Sequence, residues 1–191
     1  AAGTPTSPSN LSATSTSASS IKLTWRNNAT DATRLEIYRK AGTGARTLLT
    51  TINNSTATTY SDTTATGNAA TITYSYDIQA CNASGCSPTT AVAVVPYKPT
   101  NLRATAGAGK VDLTWTDNSA NETGFQIQRK TGACTSTSAW SLIHTTGANV
   151  TSYSNTGLTS GTYSYRIRSF TKSVAAPYAY GYSGWSYCVS G

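Results

Sequence analysis

The sequence predicts an all-β chain: two tandem seven-stranded sandwiches behind an extended N-terminal tail. Three observations carry that expectation. Of 191 residues, 36 are Thr and 25 are Ser, and Thr favours strands while Ser favours turns. Long runs of the helix formers Ala, Leu, Glu and Lys are missing. Five blocks of sequence recur at one spacing, the signature of a module used twice.

The tail is residues 1–9, "AAGTPTSPS". The first domain, 10–96, opens on "NLSAT" at Asn10, which returns as "NLRAT" at Asn101 in the second domain, 97–191. "IKLTW" at Ile21 returns as "VDLTW" at Val111, and "LEIYRK" at Leu35 as "FQIQRK" at Phe125. "TTYSD" at Thr58 matches "TSYSN" at Thr151, and "YSYDIQA" at Tyr74 matches "YSYRIRS" at Tyr163. The offsets are 91, 90, 90, 93 and 89 residues. Each block alternates with period two: Ile21, Leu23 and Trp25 share one face, and Lys22 and Thr24 the other. About seven such strands per module indicate two antiparallel sheets packed face to face. Between the modules, "VVPYKPTNL" holds Pro96 and Pro99, which break strand pairing and leave a short, stiff link.

These blocks resemble fibronectin type III domains of the kind found in bacterial extracellular proteins, an immunoglobulin-like sandwich. The resemblance covers residues 9–191. It is close in the second module, through "LTWTDNSANETGFQIQRK", "TSYSNTGLTSGTYSYRIRSF" and "GYSGWS", and looser in the first, where "RNNATDATRLEIYRK" lacks the Asn-Glu-Thr-Gly turn. It implies a core Trp on the second strand, Trp25 and Trp115. It also implies a Tyr opening the sixth strand whose hydroxyl ties down the preceding corner, Tyr74 and Tyr163.

Four cysteines are present. Cys81 and Cys86 in "CNASGC" are too far apart for a zinc knuckle and have no histidine near them, so a hairpin disulfide is expected. Cys134 and Cys188 remain for a second bridge; in such a sandwich they lie toward the same pole. Even pairing, and a chain that opens Ala1-Ala2-Gly3 as if a leader had been removed, predict a secreted protein. No stretch of 18 apolar residues occurs, so no membrane insertion is expected.

Net charge is +7, but the cations are scattered and no run of five exists, which reads as solvated strand faces and not as a nucleic-acid surface. Asp112, Asp117 and Glu122 cluster around the loop after Trp115. Turn capping is the expected role; the alternative is a calcium site, for which the first module offers only Asp31 in the matching loop. No catalytic residue, metal or cofactor is predicted. The one histidine, His144, has no acid beside it in sequence, and seven acids spread over two modules do not suggest a glycosidase pair.

"YAYGYSGWSY" gathers Tyr178, Tyr180, Tyr182, Trp185 and Tyr187. Core and loop packing, a protein contact and a sugar platform are the three readings, with Trp185 and Tyr187 placed on a last strand that points alternate residues inward. Seven Asn-X-Ser/Thr sequons, at Asn10, Asn28, Asn53, Asn54, Asn82, Asn121 and Asn149, are candidate glycosylation sites.

The expected function is therefore a non-enzymatic structural subunit of an extracellular filament or surface matrix. Its polymer is expected to form through docking of the tail on another copy, with Ala1, Ala2, Gly3, Thr4 and Pro5 meeting Tyr178, Tyr180, Tyr182 and Trp185. The tail folding back on its own domain is the alternative. The second functional reading is a spacer or carbohydrate-binding accessory module of a secreted enzyme.

Overall fold

A computed structural model describes residues 3–191, which fold as two compact units without a helix. In chain order the strands are β1 (Ser9–Ser17), β2 (Ser20–Arg26), β3 (Arg34–Ala41), β4 (Thr47–Ile52), β5 (Thr59–Asp62), β6 (Tyr74–Asn82), β7 (Gly85–Cys86) and β8 (Ala93–Val95). They continue as β9 (Thr100–Gly107), β10 (Lys110–Thr116), β11 (Gly124–Thr131), β12 (Ser141–Thr145), β13 (Ser152–Thr156), β14 (Tyr163–Lys172), β15 (Tyr180–Tyr182) and β16 (Val189–Ser190).

Unit one pairs β1 with β2 and β2 with β5 in one layer, and β4 with β3, β3 with β6, and β6 with β7 and β8 in the other. Unit two repeats the order: β9, β10 and β13 in one layer, β12, β11, β14 and β16 in the other. Unit two is thus three plus four strands, as the fibronectin type III resemblance implies; unit one, expected to have seven strands, has eight, because its last strand is broken into β7 and β8, which both pair with β6. The repeat extends to detail. Asn10 and Asn101, the first residues of the recurring "NL" blocks, both take a positive φ, 55° and 54°. A side chain that tolerates the left-handed region suits that bulge at the start of each module. Both units also carry a register shift at the same point of the third strand, between Ile37 and Tyr38 and between Ile127 and Gln128.

Period-two alternation places the cores. On β2, Ile21, Leu23 and Trp25 are buried between exposed or half-buried neighbours, and on β10, Val111, Leu113 and Trp115 do the same. Ile37 faces Ile78 across β3 and β6, and Ile127 faces Ile167 across β11 and β14. Each core thus closes around one Trp and one central Ile pair, and burying each such side chain stabilises by about 1.5–3 kcal/mol.

Two expectations need correction. The second domain does not hold all of 97–191: residues Thr171–Tyr182 belong to unit one. There β15 runs parallel to β1, with Ala13 opposite Gly181, and Ala179 is buried in the unit-one core. The sequence repeat gave no warning, because the stretch joining Ser169 to Ser183 is twice as long as the one joining Ala80 to Ser87, its counterpart in the first module. The tail, expected to dock on a neighbouring copy, packs on its own domain over residues 3–9. Asn82 Nδ2 donates to Gly3 O at 3.0 Å, Asn28 Nδ2 donates to Ser7 O at 2.9 Å, and Ser7 Oγ donates to Pro88 O at 2.8 Å. Pro5 and Pro8 are buried. Proline rings supply the apolar anchor that large side chains would otherwise provide, and asparagine amides grip the backbone before Pro5 and between Pro5 and Pro8. Ala1 and Ala2, also named as assembly contacts, lie outside the described residues.

Candidate functional site

The most distinctive surface is the outward face of the four-stranded layer of unit two. Residues 183–187 run beside β14 with a period of three, not two. Ser183 and Ser186 donate their backbone N–H groups to Ser169 O and Ile167 O, at 3.1 and 2.8 Å. Their hydroxyls accept from Ser169 N and Ile167 N, each at 3.0 Å. A three-residue period is that of polyproline II. It turns Ser183 and Ser186 toward β14 and sends Trp185 to the outside. Unit one uses the same device: Ser87 and Thr90 serve Ala80 and Ile78.

Trp185 is therefore half-buried on the surface and does not enter the core, and Tyr187 is exposed, contrary to the inward alternation predicted for a last strand. Trp185 stands between Arg166 and Arg168, whose Cζ atoms lie 4.5 and 4.6 Å from its ring centre. On the other side of Arg166 stands Trp140, at 4.5 Å, and beyond it Lys130 Nζ, at 5.0 Å. The result is a row: Lys130, Trp140, Arg166, Trp185, Arg168. Alternate residues of β14 supply the arginines, and β11 supplies Lys130 together with Gln126 and Gln128. The two glutamines accept from Arg168 Nε at 2.9 Å and Arg166 Nε at 2.8 Å. Burial pulls the Arg166 pKa below its ordinary value. Lys130 Nζ donates to Cys134 O and Ser136 O, both at 2.7 Å. Sequence reasoning missed Trp140, Lys130 and the arginines. Cations at alternate positions look like any solvated strand face until the fold brings two tryptophans between them.

The other aromatics of "YAYGYSGWSY" are also engaged. Lys172 lies 3.9 Å over Tyr178, Tyr180 and Tyr182 stack on each other at 6.0 Å, and Lys98 lies 4.9 Å over Tyr187. Tyr178, Tyr180 and Tyr182 fall in unit one and Trp185 in unit two.

Beneath the surfaces lie two matched polar centres. In unit one Tyr76 and Arg39 donate to Asp62 Oδ2 at 2.8 and 2.9 Å. Burial acts to raise the Asp62 pKa, but Arg39, the Thr64 amide and hydroxyl, and Tyr76 hold the carboxyl below its ordinary range. Burial, then the hydrogen bond to Asp62, push the Tyr76 phenol well up. In unit two Tyr165 and Arg129 donate to Asn155 Oδ1 at 3.0 and 2.9 Å, and burial pushes Tyr165 up to about 12.

The remaining sequence candidates fall as follows. Tyr74 donates its hydroxyl proton to Thr66 O at 2.9 Å and Tyr163 to Thr159 O at 3.2 Å, so both tie down the preceding corner. Trp25 and Trp115 are buried, with indole N–H groups that have no hydrogen-bond partner among the described residues. Cys81 joins Cys86 and Cys134 joins Cys188. Asp117 accepts from Ser119 N, and Glu122 from Asn149 N, both at 2.9 Å, so each caps a turn. Among the described residues the one grouping of metal-type donors is Glu36 with Cys81 and Cys86, and those sulfurs are joined in the disulfide. Of the sequon asparagines, Asn10, Asn53, Asn54, Asn121 and Asn149 are exposed. Asn82 is buried, and Asn28 spends its amide nitrogen on Ser7 and Ser9.

Strand order, corner tyrosines and core tryptophans define the class: tandem immunoglobulin-like sandwiches of fibronectin type III topology. Solved structures similar to the chain include the chicken CNTN1 FN1-FN3 domains, at 16% identity and a TM-score of 0.49, covering 98% of this chain and 66% of that one. A two fibronectin type-III domain segment from chicken tenascin is similar at 14% identity and a TM-score of 0.41, covering 96% and 97%. No family model matches the chain. No curated protein matches it. Two disulfides point to an oxidising, extracellular setting. Among the described residues no helix is long and apolar enough to cross a membrane.

Proposed function

We propose that the chain is a non-enzymatic, secreted structural module that associates with copies of itself into an extracellular filament or matrix, with glycans on its exposed asparagines. The observation that carries the structural reading is the fate of the acids. All seven are engaged within their own unit: Asp31 by Asn82, Glu36 by Arg34, Asp62 by Arg39, Asp77 by Arg46, Asp112 by Lys110, Asp117 by Ser119 and Glu122 by Asn149. His144 stacks on Tyr153 at 4.2 Å. Such groups hold sandwiches together; they are not arranged as an acid and a base around a substrate.

For self-association the structure favours a surface other than the tail. β4 and β12 are the outer strands of their layers, and an outer strand offers unpaired backbone groups to another chain. Each exposes a leucine at the same register, Leu48 opposite Tyr38 and Leu142 opposite Gln128. Both are about half exposed, 51% and 53%. Sedimentation and electron microscopy of the purified chain over rising concentration test the reading. Polymers that disappear in Leu48→Asp/Leu142→Asp support it; a chain that stays monomeric throughout overturns it and leaves the spacer or accessory-module reading.

A further inference from the structure

The outward face of the four-stranded layer is where the two repeats differ most in charge. In unit one Glu36 on β3 binds Arg34 and Asp77 on β6 binds Arg46, at 2.9 and 2.5 Å. Unit two places Gln126 and Arg166 at the same register positions, and Arg168 where unit one has Gln79. The three acids of unit two lie elsewhere: Asp112 on the opposite layer, Asp117 and Glu122 in the loop before β11. Lys130, Arg166 and Arg168 thus share a face without a carboxylate.

The aromatic rings of that face are not platforms. Trp140 is flanked by Lys130 and Arg166, and Trp185 by Arg166 and Arg168. A neutral sugar or a base needs an open ring to stack on. Here the indoles serve to hold guanidinium groups, and Gln126 and Gln128 fix their rotation. A planar guanidinium so held is pre-organised for paired hydrogen bonds to a carboxylate or sulfate. Alternate residues on a strand stand about 6–7 Å apart, so a linear polymer carrying repeated charges engages both arginines at once. We propose that this face binds an acidic polysaccharide, with uronate or sulfate groups paired to Arg166 and Arg168. The covered rings argue against single-stranded nucleic acid, and a disulfide-bonded protein meets acidic polysaccharides in the extracellular setting its bridges indicate.

The test uses the full chain passed over immobilised polygalacturonate, dextran sulfate and neutral dextran. Binding to at least one polyanion, weakening with salt and absent on dextran, is the expected result. Arg166→Gln/Arg168→Gln should weaken it at least about tenfold, whereas Lys22→Gln/Arg26→Gln, which removes two exposed cations from β2, should change it less than about twofold. Gln126→Glu/Gln128→Glu keeps both arginines but gives them internal carboxylates, as unit one does, and should abolish binding even if the arginine variant fails to fold. Equal losses in the β2 control would reduce the effect to net charge and overturn the proposal. So would absence of binding to both polyanions. Tighter binding to single-stranded DNA or polyglutamate through the same arginines would assign the face to another class of ligand.

Discussion

Asp62 and Asn155 occupy the same position in the two units and differ by one charge. Asp62 lies opposite Ile21 and Asn155 opposite Val111. Each accepts from a buried tyrosine and from an arginine on the third strand of its unit. One repeat therefore ties its layers together with an ion pair, and the other with a neutral amide.

The difference sets an acid response. A carboxyl held below its ordinary range contributes stability above its unfolded pKa, near 3.9, and loses that contribution as pH falls through the folded value. Unit one should lose stability below about pH 4 through this group, and unit two should not. Asp62→Asn should flatten that part of the unit-one profile. Asp62→Ala should cost about 3–5 kcal/mol, because Arg39 and Tyr76 lose their common partner in a buried site. Thermal melts across pH, followed by amide signals from each unit, read both effects. An unchanged acid profile in Asp62→Asn would show that other carboxyls set it.

The two disulfides should differ in worth. Cys134–Cys188 spans 54 residues and Cys81–Cys86 spans 5. On the chain-entropy view the first stabilises by about 4 kcal/mol and the second by about 2 kcal/mol. Urea unfolding of the two paired Cys→Ser variants measures this. Removing Cys134–Cys188 should lower the midpoint of unit two more than removing Cys81–Cys86 lowers that of unit one; the reverse order would show that local strain or packing dominates.

Removing residues 1–8 should now destabilise unit one and leave unit two as it was. The segment buries Pro5 and Pro8, and it satisfies the amides of Asn28 and Asn82. Two buried rings and two hydrogen bonds amount to a loss of about 2–4 kcal/mol. Differential scanning calorimetry of the truncated chain decides it: an unchanged unit-one transition would mean that the tail rests on the domain without supporting it.

What could be read beforehand, and what could not, follows the range of the interactions. Alternation in "IKLTW" and "VDLTW" puts Trp25 and Trp115 inside because a strand's own period decides which face is buried. Repetition located the link at Pro96, and the resemblance to fibronectin type III domains implied the corner tyrosines. The tail's packing on its own domain stood only as the alternative, because its anchors are small prolines and its partners, Asn28, Asn82 and Pro88, are distant in sequence. The row from Lys130 to Arg168 escaped because it assembles residues from four separate segments. Its one sequence signal is visible only when the modules are laid over each other: Glu36 and Asp77 of the first become Gln126 and Arg166 in the second.

The strand β15 gives the sharpest contrast between sequence position and structural role. Gly181 comes late in the chain, beyond most of unit two, yet it lies opposite Ala13 on β1 in unit one. A Cβ added there would stand 1.7 Å from the Val94 carbonyl oxygen and 2.8 Å from Thr171 Oγ1. The first of these is backbone in β8, so the clash cannot be relieved by turning a side chain; either β8 or β15 must move. Thr171 Oγ1 is itself committed, donating to Val94 O at 2.5 Å and accepting from Gly181 N at 3.2 Å. Gly181→Val should therefore detach β15 from β1, draw Ala179 out of the core and lower the stability of unit one by about 2–4 kcal/mol. Unit two, whose share of this stretch begins at Ser183, should keep its transition. Amide exchange read residue by residue tests it: faster exchange along β1 and β8 with β10 and β11 unchanged is the expected result. Faster exchange confined to unit two would mean that Thr171–Tyr182 supports the second unit after all.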